Sequence, residues 1–286
     1  MLLRTMFRLI ILILLLNPVI LTAQEPDNDY LYTPFDRSLI PEGEQLTYQA
    51  FILGKLIPMG TAHLSIDKVV HDNEDAYRFR GTAEGGYLIF TVKMLMDSIV
   101  NYATLRPIRF IHDQSGFEQR KRILTFDWDS MLIRYSKFDF SDDVLIQRAE
   151  TPIEPQTRDI LSTLYFARSV KPEVGYTVTM KLIEKRDIWK VKIVVVEKGT
   201  VKVKDRDVAA LKIKLIPDIK QDTQNEVFQG LFGLKGEIIL WVSEDRRIPL
   251  LIEGDYPLAF FDLKIRVILM EWAPEEIISP VANTPQ

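Results

Sequence analysis

Histidine supplies most general bases because its pKa lies near neutrality, and the chain has three, His63, His71 and His112. His63 falls on the polar side of a strand-like alternation, and His71 opens the polar turn His71-Asp72-Asn73-Glu74-Asp75. His112 and Asp113 are neighbours on a strand, where successive side chains point to opposite faces, so a catalytic partner for either would have to come from elsewhere. No serine sits in Gly-x-Ser-x-Gly, and neither a His-Glu-x-x-His helix nor a Gly-x-x-x-x-Gly-Lys phosphate loop is present. Asp127-Trp128-Asp129-Ser130 begins like a calcium loop, yet Met131, Leu132 and Ile133 follow where a glycine and further acids belong. Asp139, Asp142 and Asp143 read as a solvated acidic turn. Gly230, Gly233 and Gly236 lack the strand-then-helix frame of a dinucleotide site and read as a flexible apolar loop. The sequence thus predicts no catalytic residue, no metal ligand and no cofactor. A hydrolase built on scattered acids such as Glu244 or Asp245 is neither supported nor excluded, since carboxylate pairs form in space.

What the patterning leaves unexplained is apolar. Tyr87 to Met96 after Gly85-Gly86, and Phe228 to Gly236, both set large apolar side chains beside glycines. Tyr87, Phe90, Phe228, Phe232 and Trp241 are the candidates for side chains meeting an apolar ligand across a hollow. The competing reading makes both segments core plugs at the ends of a sheet.

The elements that position these residues are mostly strands. Leu46, Tyr48, Ala50 and Ile52 alternate with polar residues, as do Ala62, Leu64 and Ile66, and Leu53-Gly54-Lys55 between them reads as a hairpin, with Pro58 and Gly60 marking a bulge or strand edge before the second strand. Period two recurs through Tyr176–Leu182, Trp189–Val195, Ala209–Leu215, Glu237–Ser243, Ile248–Glu253 and Phe261–Leu269. One polar face per strand implies an antiparallel sheet wetted on one side. The 3.6 period is clear once, over Thr157–Arg168, with Thr157 as N-cap and Leu161, Leu164 and Tyr165 on one face. Residues 87–96 fit buried helix, buried strand or an apolar flap equally well. The expected fold is mainly β: a long curved antiparallel sheet, half-barrel or open barrel-like, with one central α-helix packed on it, or else two sheet halves flanking that helix.

Composition sets the class and compartment. The 286 residues are 47% hydrophobic and 27% charged, which fits a globular chain with a sizeable core. Arg4 and Arg8 precede the apolar run Leu9–Leu21, too short and interrupted for a span, and Ala23 offers a cleavage site, so residues 1–23 read as an export signal. Residues 24–42 read as a linker, 43–272 as one β-rich domain and 273–286 as a proline-containing tail. The formal charge of −4, more acidic once the two leader arginines are gone, argues against nucleic acid. With no cysteine, disulfides and a lipoprotein anchor are excluded. The expectation is a periplasmic protein, soluble after cleavage near Ala23, without an integral membrane span, whose partners are a lipid or an envelope protein.

Several stretches resemble the exported bacterial family called domain of unknown function 3108. Gly43-Glu44-Gln45-Leu46-Thr47-Tyr48 is similar to its opening strand, and Gly54 with Pro58-Met59-Gly60-Thr61-Ala62 to the bulged second strand. Arg158-Asp159-Ile160-Leu161-Ser162-Thr163-Leu164-Tyr165 resembles its central helix, and Gly236 through Leu240-Trp241-Val242-Ser243-Glu244-Asp245-Arg246-Arg247-Ile248-Pro249 its last strand-turn-strand. The resemblance covers roughly residues 43–270 and implies a β-rich periplasmic fold. It carries no catalytic residues across. The functional expectation is an envelope protein, not indicated as an enzyme, that holds an apolar or amphipathic ligand, with a structural or scaffolding protein as the alternative.

Overall fold

The computed structural model describes residues 35–52, 54, 56–87, 90–116, 119–138, 144–218, 227–258 and 261–274, all within the compact unit Tyr32–Gln286. The leader, most of the linker, the acids Asp139, Asp142 and Asp143, and the tail beyond Pro274 lie outside the described residues.

Alternating side chains build two meanders. The first runs β1 (Gln45–Ile52), β2 (Ile57–His71), β3 (Glu74–Tyr87), β4 (Phe90–Asn101), β5 (Pro107–Gly116), β6 (Arg120–Asp127), β7 (Leu132–Phe138) and β8 (Leu145–Pro152). After the two-residue β9 (Thr157–Arg158) comes helix α1 (Ile160–Ala167). The second meander runs β10 (Thr177–Glu184), β11 (Asp187–Val203), β12 (Arg206–Pro217), β13 (Lys235–Ser243), β14 (Pro249–Leu258) and β15 (Phe261–Ala273). β15 pairs antiparallel with β1, so both meanders form one 15-stranded sheet in the order β8 to β1, then β15 to β9. Its pairing is antiparallel except between β9 and β10. One long curved sheet therefore replaces the alternative of two halves. The Tyr87–Met96 segment resolves as the end of β3 and the start of β4.

The sheet rolls until its outer strands meet. Thr151 Oγ1 at the end of β8 donates to Arg186 O in the β10–β11 turn at 2.9 Å, and Lys181 on β10 pairs with Glu154 just beyond β8. α1 lies inside the roll with all eight residues buried, so it is enclosed on every side rather than laid on the sheet by one apolar stripe. The aromatic rings of Tyr165 and Phe79 on β3 lie 4.1 Å apart. The helix starts later than its pattern suggests: Thr157 is in β9, and Asp159 is the N-cap, its Oδ1 accepting from the amides of Leu161 and Ser162 at 2.9 Å each. Ser162 closes a capping box by accepting from Asp159 N. Ahead of Gly43, Ile40 is buried in the same core. No helix among the described residues is long and apolar enough to cross a membrane.

Candidate functional site

One end of the roll is sealed by charge. Glu44, just before β1, and Arg168, just after α1, are both almost wholly buried and meet fork to fork, Nη1 to Oε1 at 2.6 Å and Nη2 to Oε2 at 2.9 Å. Arg168 Nη2 also donates to Arg246 O in the β13–β14 turn at 3.2 Å, and Tyr48 Oη donates to Pro249 O at 2.9 Å. Two stretches that carry the family resemblance, Gly43–Tyr48 and Gly236–Pro249, thus converge here on Arg168, three residues past a third. At the helix's other end Asp159 Oδ2 accepts from Ser98 Oγ of β4 at 2.7 Å, and burial pushes its carboxyl up despite these donors.

The opposite end holds an apolar cavity of about 100 Å³, bordered by Ala50, Met59, Ala83, Met94, Phe232, Leu234 and Tyr256. β1 passes the charged seal at its start and the cavity near its end, at Ala50. Of the bulge or strand edge expected at Pro58 and Gly60, the register shows a bulge: Ala50 pairs with Gly60 and Phe51 with Pro58, leaving Met59 of β2 as the extra residue. At the cavity's edge Gly60 faces Gly85 across β2 and β3; a Cβ on Gly60 would stand 2.3 Å from Glu84 O, and one on Gly85 2.3 Å from Met59 O. No side chain fits either position, so backbone and small residues form this edge.

The five candidates separate. Phe232 borders the apolar cavity from a short 3-10 turn, Leu231–Gly233, with a left-handed backbone at φ 54°. Phe228, in the same connection, is buried edge-on against Trp189 of β11, with centroids 5.6 Å apart. Tyr87 and Phe90 face one another across the β3–β4 hairpin, beside Gly85 and Gly86 of the cavity edge, and their side chains lie outside the described residues. Trp241 stands apart from the hollow. It alternates with the buried Leu240 and Val242, and the long β11–β12 hairpin covers it on the outer face. A Cβ on Gly199 would stand 3.0 Å from its ring, and the Lys212 ammonium lies over it at 5.3 Å.

A second, smaller pocket of about 30 Å³ lies on the other side of the 228–234 connection, where the apolar Met96, Phe110, Leu124 and Leu182 meet His112, Arg122, Glu184 and Lys185. His112 Nε2 and Arg122 Nε are sealed from solvent without a hydrogen-bond partner. Burial, then the neighbouring Arg120 and Arg122 charges, push the His112 imidazole down to about 3. Glu184 lies 3.7 Å from Arg122 and 3.6 Å from Lys185, and burial pushes its carboxyl up. Reading His112 and Asp113 as no acid–base pair in themselves misses that His112 shares parity with buried Phe110, and Arg122 with buried Leu124. That parity is the signal for an inward polar group.

A nearly closed antiparallel roll with a sealed end, an enclosed helix and an apolar pocket at its other end has a barrel-like β architecture. The chain belongs to a protein family of unknown function, DUF3108, whose profile matches residues 45–263. Among solved structures it is similar to a β-barrel-like protein of domain of unknown function DUF1849 from Brucella abortus, at 10% identity over 83% of this chain and 98% of that one, with a TM-score of 0.48. Comparison with curated proteins gives no match.

Proposed function

We propose that this is a non-enzymatic, exported envelope protein that holds an apolar or amphipathic ligand, a lipid or lipidated chain, in the hollow of its rolled sheet. The observation that carries the reading is the apolar pocket open at the glycine-edged end: its lining is almost wholly carbon, so water standing in it finds few partners and a hydrocarbon gains by displacing that water. Phe232 and the glycine edge of Gly60 and Gly85 border it. Titration with a fluorescent dodecanoyl probe tests it. Phe232→Ser should weaken binding at least tenfold, and Ala83→Leu, which fills the void from β3, should abolish binding while the unfolding midpoint holds or rises. A wild-type protein that binds no acyl probe, with a midpoint strongly lowered by Phe232→Ser, would leave Phe232 as a core plug and end the ligand reading.

One observation favours the second reading, a scaffolding protein docked through a sheet edge. β8 ends the sheet, and Val144 just before it and Ile146 within it are exposed, which suits pairing with an added strand. A protein that binds no acyl probe but is retained by an envelope component through β8 would fit it.

A further inference from the structure

The two ends of the roll differ in what their turns are made of. Successive hairpins of a meander alternate between ends, and β15 begins where β1 finishes, so the β1–β2, β3–β4 and β14–β15 connections share the end at which the apolar pocket opens. Each hairpin brings residues to that pocket, Ala50 and Met59 from the first, Gly86 and Val92 from the second, Tyr256 and Ile265 from the third. The pairs that close them are all apolar: Ile52 with Ile57, Tyr87 with Phe90, and Leu258 with Phe261. In sequence, Leu88-Ile89 and Ala259-Phe260 join the last two pairs. Two-residue connections ordinarily take Asn, Asp or Gly, which tolerate the left-handed backbone such turns need. The opposite end keeps to polar residues, with Asp72-Asn73 at φ 50° and 67° between β2 and β3, and Lys204-Asp205 between β11 and β12. At the pocket end the polar Lys185-Arg186 connection belongs to β10 and β11, so the apolar turns are confined to the contiguous arc from β14 through β15 and β1 to β4.

Behind these turns lies a belt of paired charge. Glu84 stands opposite Lys93, and Asp255 opposite Lys264, each three positions behind its hairpin's closing pair; the ion pairs measure 2.7 and 4.0 Å. Asp262, one position behind Phe261, is paired with Lys235. Three strand steps span about 10 Å, so the arc presents an apolar layer of that height and then cations and anions in equal number. A bilayer surface has the same layering, hydrocarbon beneath a headgroup zone, and interfacial segments enter it to about 5–10 Å. An anionic surface would call for a net positive belt; three lysines matched by three carboxylates complement headgroups that carry both phosphate and ammonium. Leu56, 80% exposed in the β1–β2 turn, gains by leaving water.

We propose that this end docks on the surface of a zwitterionic lipid bilayer, with Leu56 and the three closing pairs at the hydrocarbon edge, the Glu84–Lys93 and Asp255–Lys264 pairs among the headgroups, and the pocket opening onto lipid. Docking is a property separate from ligand holding, and each has its own readout. Full-length protein is floated through a density gradient with vesicles of phosphatidylethanolamine and phosphatidylcholine. The wild type should float with them at low and at high salt, because the contact is apolar and the belt has no net charge. Leu56→Asn should lower the vesicle-bound fraction by about fivefold or more. Val70→Asn, at a residue 71% exposed beside the polar β2–β3 turn, should leave it unchanged. Both side chains are in water, so circular dichroism and the unfolding midpoint should match wild type. Failure of the wild type to float, or equal loss from the two variants, would overturn docking at this end. Binding only to phosphatidylglycerol vesicles and lost at high salt would replace it with an electrostatic surface. A wild-type dimer that ignores vesicles and that Leu56→Asn makes monomeric would give the turns to a second copy of the chain and overturn the bilayer. Flotation without acyl-probe binding supports docking and ends the ligand reading; probe binding without flotation does the reverse.

Discussion

At the scale of single residues His112 carries a pH dependence of its own. His112 titrates at about 3 in the folded chain and near 6.5 when unfolded. Between those values the unfolded chain holds a proton that the folded chain lacks, so acidification favours unfolding across that window. The loss from pH 6.5 to 4.5 is at most about 3 kcal/mol, because each pH unit crossed inside the window costs about 1.4 kcal/mol. Urea unfolding should show it: His112→Gln should flatten the fall in stability between pH 6.5 and 4.5 relative to wild type, while carboxylates titrating at lower pH affect both proteins alike. Parallel pH profiles for the two proteins would place the imidazole in water. The sequence shows the histidine and its strand; what makes it unusual is its burial in the rolled sheet and then the charges of Arg120 and Arg122 on β6, which strand parity alone does not encode.

At the scale of elements, period two reads the strands well because each has an inward row that must be buried. It fails where both faces are covered. The start of β4 looks apolar all round because Met94 and Met96 face the hollow while Leu95 is half-buried on the other face. Trp241 resembles an inward anchor because the β11–β12 hairpin, bent by a bulge between Val195 and Glu197, gives the outer face an apolar cover of its own. The helix was legible but not its attachments: Glu44 and Arg168 are 124 positions apart. With both charges buried, removing one strands the other, so Arg168→Met or Glu44→Gln should cost about 3–5 kcal/mol. The double change Glu44→Leu with Arg168→Met should cost clearly less than the sum of the singles, since no lone charge then remains buried. Additive costs measured by denaturant unfolding would show that water reaches the pair.

For the whole molecule the question is whether two meanders behave as one body. The joint between them is the β1–β15 ladder, and the parts tied to α1 come from both sides of it: Ser98 of β4 on Asp159, Glu44 before β1 on Arg168, and the β13–β14 turn through Arg246 O. Neither meander can bury its inward row without the other and the helix between them, so local opening of one half exposes the core of both. Unfolding should therefore be a single cooperative step despite a length at which intermediates are common. Trp189 inside the roll and Trp241 on its outer face supply the probes. In Trp241→Phe and Trp189→Phe proteins, each reporting mainly the other tryptophan's environment against the background of Trp128 and Trp272, the urea transitions by fluorescence should coincide with each other and with far-ultraviolet circular dichroism. A Trp241 transition at distinctly lower urea than the Trp189 one would mean that the outer hairpin, or the whole second meander, opens on its own. The enclosed helix would then be a plug that one half can release, and the hollow would fill by opening the roll rather than through its glycine-edged end.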